Sequence, residues 1–143
     1  MIYLPDTNSF SAHFSNKSPV LSARMNQEMA AGNLLLSIMV LAELEFGAYK
    51  AEQTLGTSRF TEVVGKLKQN LPPEPLEESF PVHYSRARHF LESQGCKIGD
   101  RDLIIAAHAL SLGAVVVTRN VREFQRVPGL TVENWQTDGG CKT

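Results

Sequence analysis

The chain has little cysteine, no long apolar run and no excess of positive charge, and each absence removes a class of protein. Its 143 residues include only Cys96 and Cys141, too few and too scattered for a disulfide framework or a structural zinc site, which indicates a reducing compartment. No segment reaches the roughly 18 consecutive apolar residues of a membrane-spanning helix. Asp6 interrupts the N-terminal apolar stretch, which argues against a signal peptide. We therefore expect a cytoplasmic protein.

The charge balance and the missing motifs narrow the choice further. With 14 Lys and Arg against 15 Asp and Glu, the net charge is −1 and the pI about 6.4, so a nucleic-acid partner would need a local basic patch. There is no glycine-rich phosphate loop. His108 has no nucleophile in sequence to pair with, and we expect it to pack or hydrogen-bond beside its helix.

The order of apolar segments predicts the fold class. Buried-type strands are expected at Met1–Leu4, Leu34–Ile38 and Ala114–Thr118, with helical patterns between them. Strands that alternate with helices are typical of an α/β domain with a mostly parallel sheet. Leu130–Trp135 is expected to add an edge strand, and Pro75–Phe80 a strand or an extended connection. One domain should cover residues 1–136, with a frayed tail at 137–143.

Polar side chains follow the predicted strands at points that should share one edge of the sheet. Asp6 and Asn120 stand just past the ends of the first strand and of Ala114–Thr118, and ligands bind at the carboxyl ends of parallel strands. Glu43 lies one turn into the helix after the second strand, and Asp102 lies in the first turn of its own helix. Clustered carboxylates repel one another unless a cation neutralises them. A hard divalent ion, Mg²⁺ or Mn²⁺, would do so and would support phosphodiester hydrolysis.

Each of these residues also has a plainer interpretation. Asp6 and Asn120 are common turn formers, and Glu43 alone would be a solvated helix residue. Asp100 and Asp102 would both suit the first turn of a helix, where acids complement the helix dipole. For the first helix, the predicted N-cap is Thr7 or Asn8.

Four segments taken together carry a resemblance to a known family. They are DTN at 6–8, AELEFGA at 42–48, IGDRDLIIAAHAL at 98–110 and VVTRNVREFQRVPGLTVENW at 116–135. In this order and with these gaps they resemble the PIN-domain ribonucleases, specifically the VapC toxins of type II toxin–antitoxin pairs. The resemblance covers residues 2–135. It implies a PIN-like three-layer α/β/α sandwich with a mostly parallel central sheet, and an endoribonuclease that depends on Mg²⁺ or Mn²⁺.

The resemblance also implies roles for residues and partners. The family's acids fall on Asp6, Glu43 and Asp102, which would be catalytic and would bind the metal. Asp100 stands at a variable position and is expected to cap the helix or to assist from outside the first shell of ligands, with Asn8 as a second auxiliary residue. The implied partners are an RNA substrate, a second copy in a homodimer, and a VapB-like antitoxin that blocks the site and inhibits RNA cleavage, within a higher hetero-oligomer.

Two departures from the family pattern bear on the site. The fourth position, often aspartate in the family, is Asn120, which can orient a water or bind weakly but adds no charge for a second metal. Many relatives carry Thr or Ser where this chain has Val40, so the cap of the Glu43 helix is expected to be Ser37. For contacts to RNA phosphates, the cations nearest the acids in sequence are Arg101, Arg119 and Arg122.

Two other functions compete with this prediction. A PIN fold without activity would act only as a binding module, although the presence of all three acids argues against that. A phosphate-accepting α/β domain also places acids around Mg²⁺ at strand ends. A response-regulator receiver would need a lysine near Arg119–Asn120, and an aspartyl-phosphate phosphatase would need an aspartate at Asn8.

Overall fold

The computed structural model describes residues 1–136, which form seven helices and five short strands. The helices are α1 (Thr7–Phe14), α2 (Pro19–Ala30), α3 (Ile38–Leu55), α4 (Arg59–Asn70), α5 (Phe80–Ser93), α6 (Asp100–Leu112) and α7 (Val121–Phe124). The strands are β1 (Tyr3–Pro5), β2 (Leu36–Ser37), β3 (Pro73–Glu74), β4 (Val115–Val117) and β5 (Val132–Glu133). The predicted tail, residues 137–143, lies outside the described residues.

All strand pairs are parallel. The order β1-β4-β5 forms one sheet, with Tyr3 opposite Val115 and Val116 opposite Val132. Strands β2 and β3 form a second pair, which a bridge between Tyr3 and Leu34 joins to β1. Helices and parallel strands alternate along the chain, which gives the α/β/α sandwich with a mostly parallel sheet that was predicted.

Strands β1 and β4 are buried on both faces, which explains their uniformly apolar sequences. All residues of β1 and β4 are buried, and Leu36 of β2 is fully buried. Parallel strands covered by helices on both faces lack the alternation of polar and apolar residues seen in half-exposed strands. Phe10 of α1 and Phe124 of α7 are also fully buried, so helices from both ends of the chain pack into this core.

Some predicted boundaries were wrong. The second strand is only Leu36–Ser37, and Ile38 already begins α3, because Ser37 caps the helix there. The segment Pro75–Phe80, predicted as a strand or an extended connection, contains no strand and connects β3 to the start of α5 at Phe80. The pairing lies just before it, at Pro73–Glu74, where both residues pair with β2. The C-terminal edge strand was predicted correctly and is β5.

No helix within residues 1–136 is long and apolar enough to cross a membrane.

Candidate active site

Asp6 connects the end of β1 to the start of α1. Its backbone N–H donates to the carbonyl of Val117 at 2.9 Å, which fixes it beside the end of β4. Its Oδ1 accepts from the Ser9 N–H at 2.9 Å, so Asp6 itself is the N-cap of α1. The predicted cap, Thr7 or Asn8, was wrong, because a cap must precede the first helical residue and Thr7 is already helical.

The second carboxylate oxygen of Asp6 faces the next strand. Oδ2 accepts from Thr118 Oγ1 at 2.6 Å, and the residue is 4% exposed. Burial raises the pKa of Asp6, and nearby Glu43 adds to the rise, while the hydrogen bonds from Thr118 and Ser9 oppose it. The Asp6 carboxylate is therefore held rigidly in a buried position, where its charged form is energetically unfavourable.

Glu43 reaches the same place from α3. As predicted, Ser37 caps this helix, and its Oγ accepts from the Met39 N–H at 3.1 Å. Glu43 Oε1 accepts a hydrogen bond from Thr7 Oγ1, and Oε2 forms an ion pair with Arg101 Nε at 2.7 Å. The Arg101 side chain is 71% exposed, so the guanidinium covers Glu43 from the solvent side.

Asp102 completes the set from the first turn of α6. Burial raises its pKa to about 6, and the charges of Asp6, Glu123 and Glu43 add to the rise, while Arg101 opposes it. Asp102 therefore lies close enough to Asp6 and Glu43 for their charges to raise its pKa.

Asp100 does not cap α6. It is the first residue of the helix, the N-cap is Gly99, and the cap makes no side-chain hydrogen bond. Of the two roles expected for Asp100, the cap was wrong because the helix begins at Asp100 itself, so its carboxylate stands in the first turn together with that of Asp102. There an acid still complements the positive end of the helix dipole. The auxiliary role stays a prediction.

One cavity of about 430 Å³ collects these groups. Its lining consists of the three acids and their immediate neighbours: Asp6, Thr7, Asn8, Glu43, Gly99, Asp100, Arg101 and Asp102. Asn120 and Arg119 line a second cavity, which shares only Asp6 and Asn8 with the first. Arg122, in α7, lines neither cavity.

Sequence reasoning missed the residues that hold the acids in place. Thr7 and Thr118 donate to Glu43 and Asp6. A signal was present for Thr118, because a hydroxyl residue at the end of a fully apolar strand needs a buried partner.

His108, which is fully buried, contacts Ser37 Oγ at 2.9 Å and the Pro75 carbonyl at 3.0 Å. It therefore hydrogen-bonds as expected, but to other elements, and it ties α6 to the start of α3.

The donor chemistry of the cavity fits a hard divalent cation. Carboxylate and amide oxygens are the ligands that such ions prefer. The pKa of Asp102 is raised by burial first and then by the nearby acids Asp6, Glu123 and Glu43, and a cation in the cavity would offset both effects. Within residues 1–136, however, no three acidic, histidine or cysteine side chains already stand in metal-binding positions. The oxygens of Asp6 are turned to Ser9 and Thr118, and Arg101 holds Glu43.

Comparison with known proteins gives a consistent result. The PIN domain model matches residues 3–130. Ribonuclease VapC1 of Haemophilus influenzae (strain R2866) is 36% identical over 135 residues, which cover 94% of this chain and 98% of the relative. The tRNA(fMet)-specific endonuclease VapC of Salmonella typhimurium (strain LT2) is 33% identical over 133 residues, 93% of this chain and 97% of that one.

Solved structures of similar proteins also match nearly the whole chain. The complex VapBC2 from Rickettsia felis, bound to a DNA fragment from its promoter, contains a chain that superposes with a TM-score of 0.83 at 29% identity. The match covers 94% of this chain and 99% of that one. VapBC-1 from nontypeable Haemophilus influenzae gives a TM-score of 0.81 at 32% identity, with 96% and 100% covered.

Proposed function

Because the chain belongs to the PIN-domain family, we propose that it is a metal-dependent endoribonuclease of the VapC type, the toxin of a type II toxin–antitoxin pair. The observation that carries this proposal is the convergence of Asp6, Glu43 and Asp102 on one cavity. The nearly full-length similarity to VapC ribonucleases supports it. By cutting RNA needed for protein synthesis, the free toxin would inhibit translation.

PIN-domain nucleases generally use divalent metal ions, and here we propose Mg²⁺ or Mn²⁺ held by Asp6, Glu43 and Asp102. Once bound, the ion would lower the pKa of a water and neutralise charge on the phosphate being cut. The protein's own part is to hold the acids. Thr118 and the Ser9 N–H fix Asp6, and Thr7 fixes Glu43.

The polar residues around the acids suit the substrate. The amides of Asn8 and Asn120 adjoin Asp6 and can donate to a phosphate oxygen or orient a water. Arg101 pairs with Glu43, and we propose that a bound metal ion displaces it from the carboxylate. If a metal ion took that position, the guanidinium would be free to bind a phosphate, as would Arg119. Asp100 lies on the cavity wall and is proposed to act only as an auxiliary residue.

We propose an antitoxin partner, since the solved relatives above are complexes named VapBC. An Arg or Lys from the antitoxin would enter the acidic cavity and relieve the same repulsion as a metal ion. An apolar groove of about 430 Å³ adjoins the cavity and shares Thr7 and Glu43 with it. Helices α1, α3 and α4 line this groove, which suits the apolar part of an antitoxin segment. We also propose that the chain forms a homodimer, which assembles with the antitoxin into a hetero-oligomer. Its proposed location is the cytoplasm, where the RNA substrates are found.

The test is cleavage by the purified chain. A transfer RNA is the first substrate to try, because the Salmonella relative is a tRNA(fMet)-specific endonuclease. Cleavage should require Mg²⁺ or Mn²⁺, stop in excess EDTA, and stop when the product of the neighbouring antitoxin gene is added. RNA that is bound but left intact in Mg²⁺ and in Mn²⁺ would instead support a silent binding module.

A further inference from the structure

The second cavity, of about 710 Å³, runs away from the acids along one face of α1. Its floor consists of residues one helical turn apart, Asn8, Ser11, Ala12 and Ser15. Because Asp6 and Asn8 line both cavities, the groove opens directly from the acidic site. Between Asn8 and Ser15 the floor is about 10 Å long.

The groove differs in charge from the acidic cavity. Lys17 and Arg119 line it, and Asp6 is its only acidic lining residue among those described. Within residues 1–136, the side chains of Lys17 and Arg119 form no ion pair and no hydrogen bond. Two free cations beside an acidic site would attract the phosphates on one side of the bond to be cut.

The groove also contains an exposed aromatic ring. Phe60, the second residue of α4, lines the same groove as Arg119 and Asn120 and is 44% exposed. Proteins that bind single-stranded nucleic acid combine a positive groove that follows the backbone with aromatic rings on which bases stack. RNA cleavage sites in loops and single strands offer unstacked bases for such contacts.

We propose that this groove binds the RNA next to the cleavage site, with Lys17 and Arg119 contacting phosphates and Phe60 stacking on one unpaired base. The inference rests on the proposed ribonuclease function and adds the path of the RNA beside the cleavage site and a residue that selects single-stranded substrate. Phe60 also lines the apolar groove assigned to the antitoxin. An antitoxin bound there would therefore cover the base-stacking ring as well as the acids.

Binding of a short single-stranded RNA to the full chain carrying Asp102→Asn tests the stacking contact without cleavage. Phe60→Ala should weaken binding at least about fivefold, the lower end for loss of one base–aromatic stack, whereas Phe60→Tyr should bind as before. The matched control is Phe46→Ala, since Phe46 is an aromatic that is 66% exposed on α3 and lies outside both cavities.

Abasic nucleotides identify the contact. In a series of RNAs that each carry one abasic position, a single position should weaken binding to the protein that keeps Phe60. For the RNA that is abasic at that position, Phe60→Ala should cause no further loss of affinity. Lys17→Gln and Arg119→Gln should each lower the slope of log affinity against log salt by about 0.7, while Lys66→Gln, on the exposed face of α4, should not.

Two results would overturn the inference: Phe60→Ala binding within twofold of Phe46→Ala, or no abasic position coupled to Phe60. Failure of the ribonuclease function would look different. In that case the unmodified chain would leave RNA intact in Mg²⁺, whatever residue stands at position 60.

Discussion

Replacing Asp102 with Asn should stabilise the metal-free protein and abolish most of its RNA cleavage. At neutral pH the unmodified chain carries a charged Asp102 whose pKa is about 6 in the fold against an ordinary value of 3.8. Each unit of pKa corresponds to about 1.4 kcal/mol, so the unscreened destabilisation would be about 3 kcal/mol. Asp102 is only half-buried and solvent screens its charge, so we expect about 1 kcal/mol.

The sign of the effect depends on pH. Between 3.8 and about 6 the folded state of the unmodified chain binds more protons than the unfolded state, so its stability falls as pH rises through this window. The gain from Asp102→Asn should therefore be complete above pH 6 and absent below 3.8. Thermal unfolding in EDTA should show a rise of about 3 °C at neutral pH.

The cleavage assay supplies the other half of this prediction. If Asp102 holds the metal, its loss should reduce cleavage at least as much as the 10- to 100-fold typical of lost support for a ligand. An Asp102→Asn protein that cleaves RNA normally would refute the assignment. A variant that loses stability at neutral pH in EDTA would refute the electrostatic argument, because removing a repelled charge cannot then be its main effect.

Three further predictions concern the neighbours of Asp102. Arg101→Gln should lower the Mn²⁺ concentration needed to raise the unfolding temperature, because the ion would no longer displace the guanidinium paired with Glu43; a higher requirement would show that Arg101 assists binding. The Asp100→Asn protein should cleave RNA normally. Asp100→Ala should lower the free energy of unfolding by no more than about 0.5 kcal/mol, since Asp100 is not the N-cap. A folded but inactive Asp100→Asn protein would mean that Asp100 is a metal ligand. Burial lowers the pKa of His108 from 6.5, so the unfolded state takes up the proton first and stability should fall as pH drops below 6.5. This is measured by urea titrations of Asp102→Asn with and without His108→Gln, above and below pH 6.5. The free energy of unfolding should fall less with decreasing pH when the histidine is absent, and equal losses would mean that His108 does not titrate.

Much of the site could be predicted because it lies where apolar runs end. The run before Asp6 and the run before Asn120 mark strand ends, and parallel strands bring their carboxyl ends to one edge. Both predicted strands exist and pair in register, with Pro5 opposite Val117. Glu43 and Asp102 lie within the first two turns of predicted helices, where an uncertainty of one or two residues in the boundary matters little.

The parts that failed depend on single residues or on contacts distant in sequence. Whether Asp100 caps α6 changes with a shift of one residue in the helix start, which is within the ordinary uncertainty of a boundary. The hydrogen bond from Thr118 to Asp6 and the pairing of Arg101 with Glu43 join separate elements. Neither pair has a local spacing rule that would predict it, so only the folded structure supplies them.

The most direct test of the account compares RNA cleavage by the unmodified chain with cleavage by Asp6→Asn, each titrated with Mn²⁺ after removal of metal by EDTA. Asp6 is nearly fully buried, and the backbone donor Ser9 and the hydroxyl donor Thr118 hold it in place. Asn can keep the cap but not the charge. We predict that cleavage by the unmodified chain returns with Mn²⁺, whereas a folded Asp6→Asn protein stays inactive at every concentration. Cleavage by the unmodified chain in EDTA, or full recovery of Asp6→Asn, would contradict the assignment of a metal-dependent ribonuclease site to these acids.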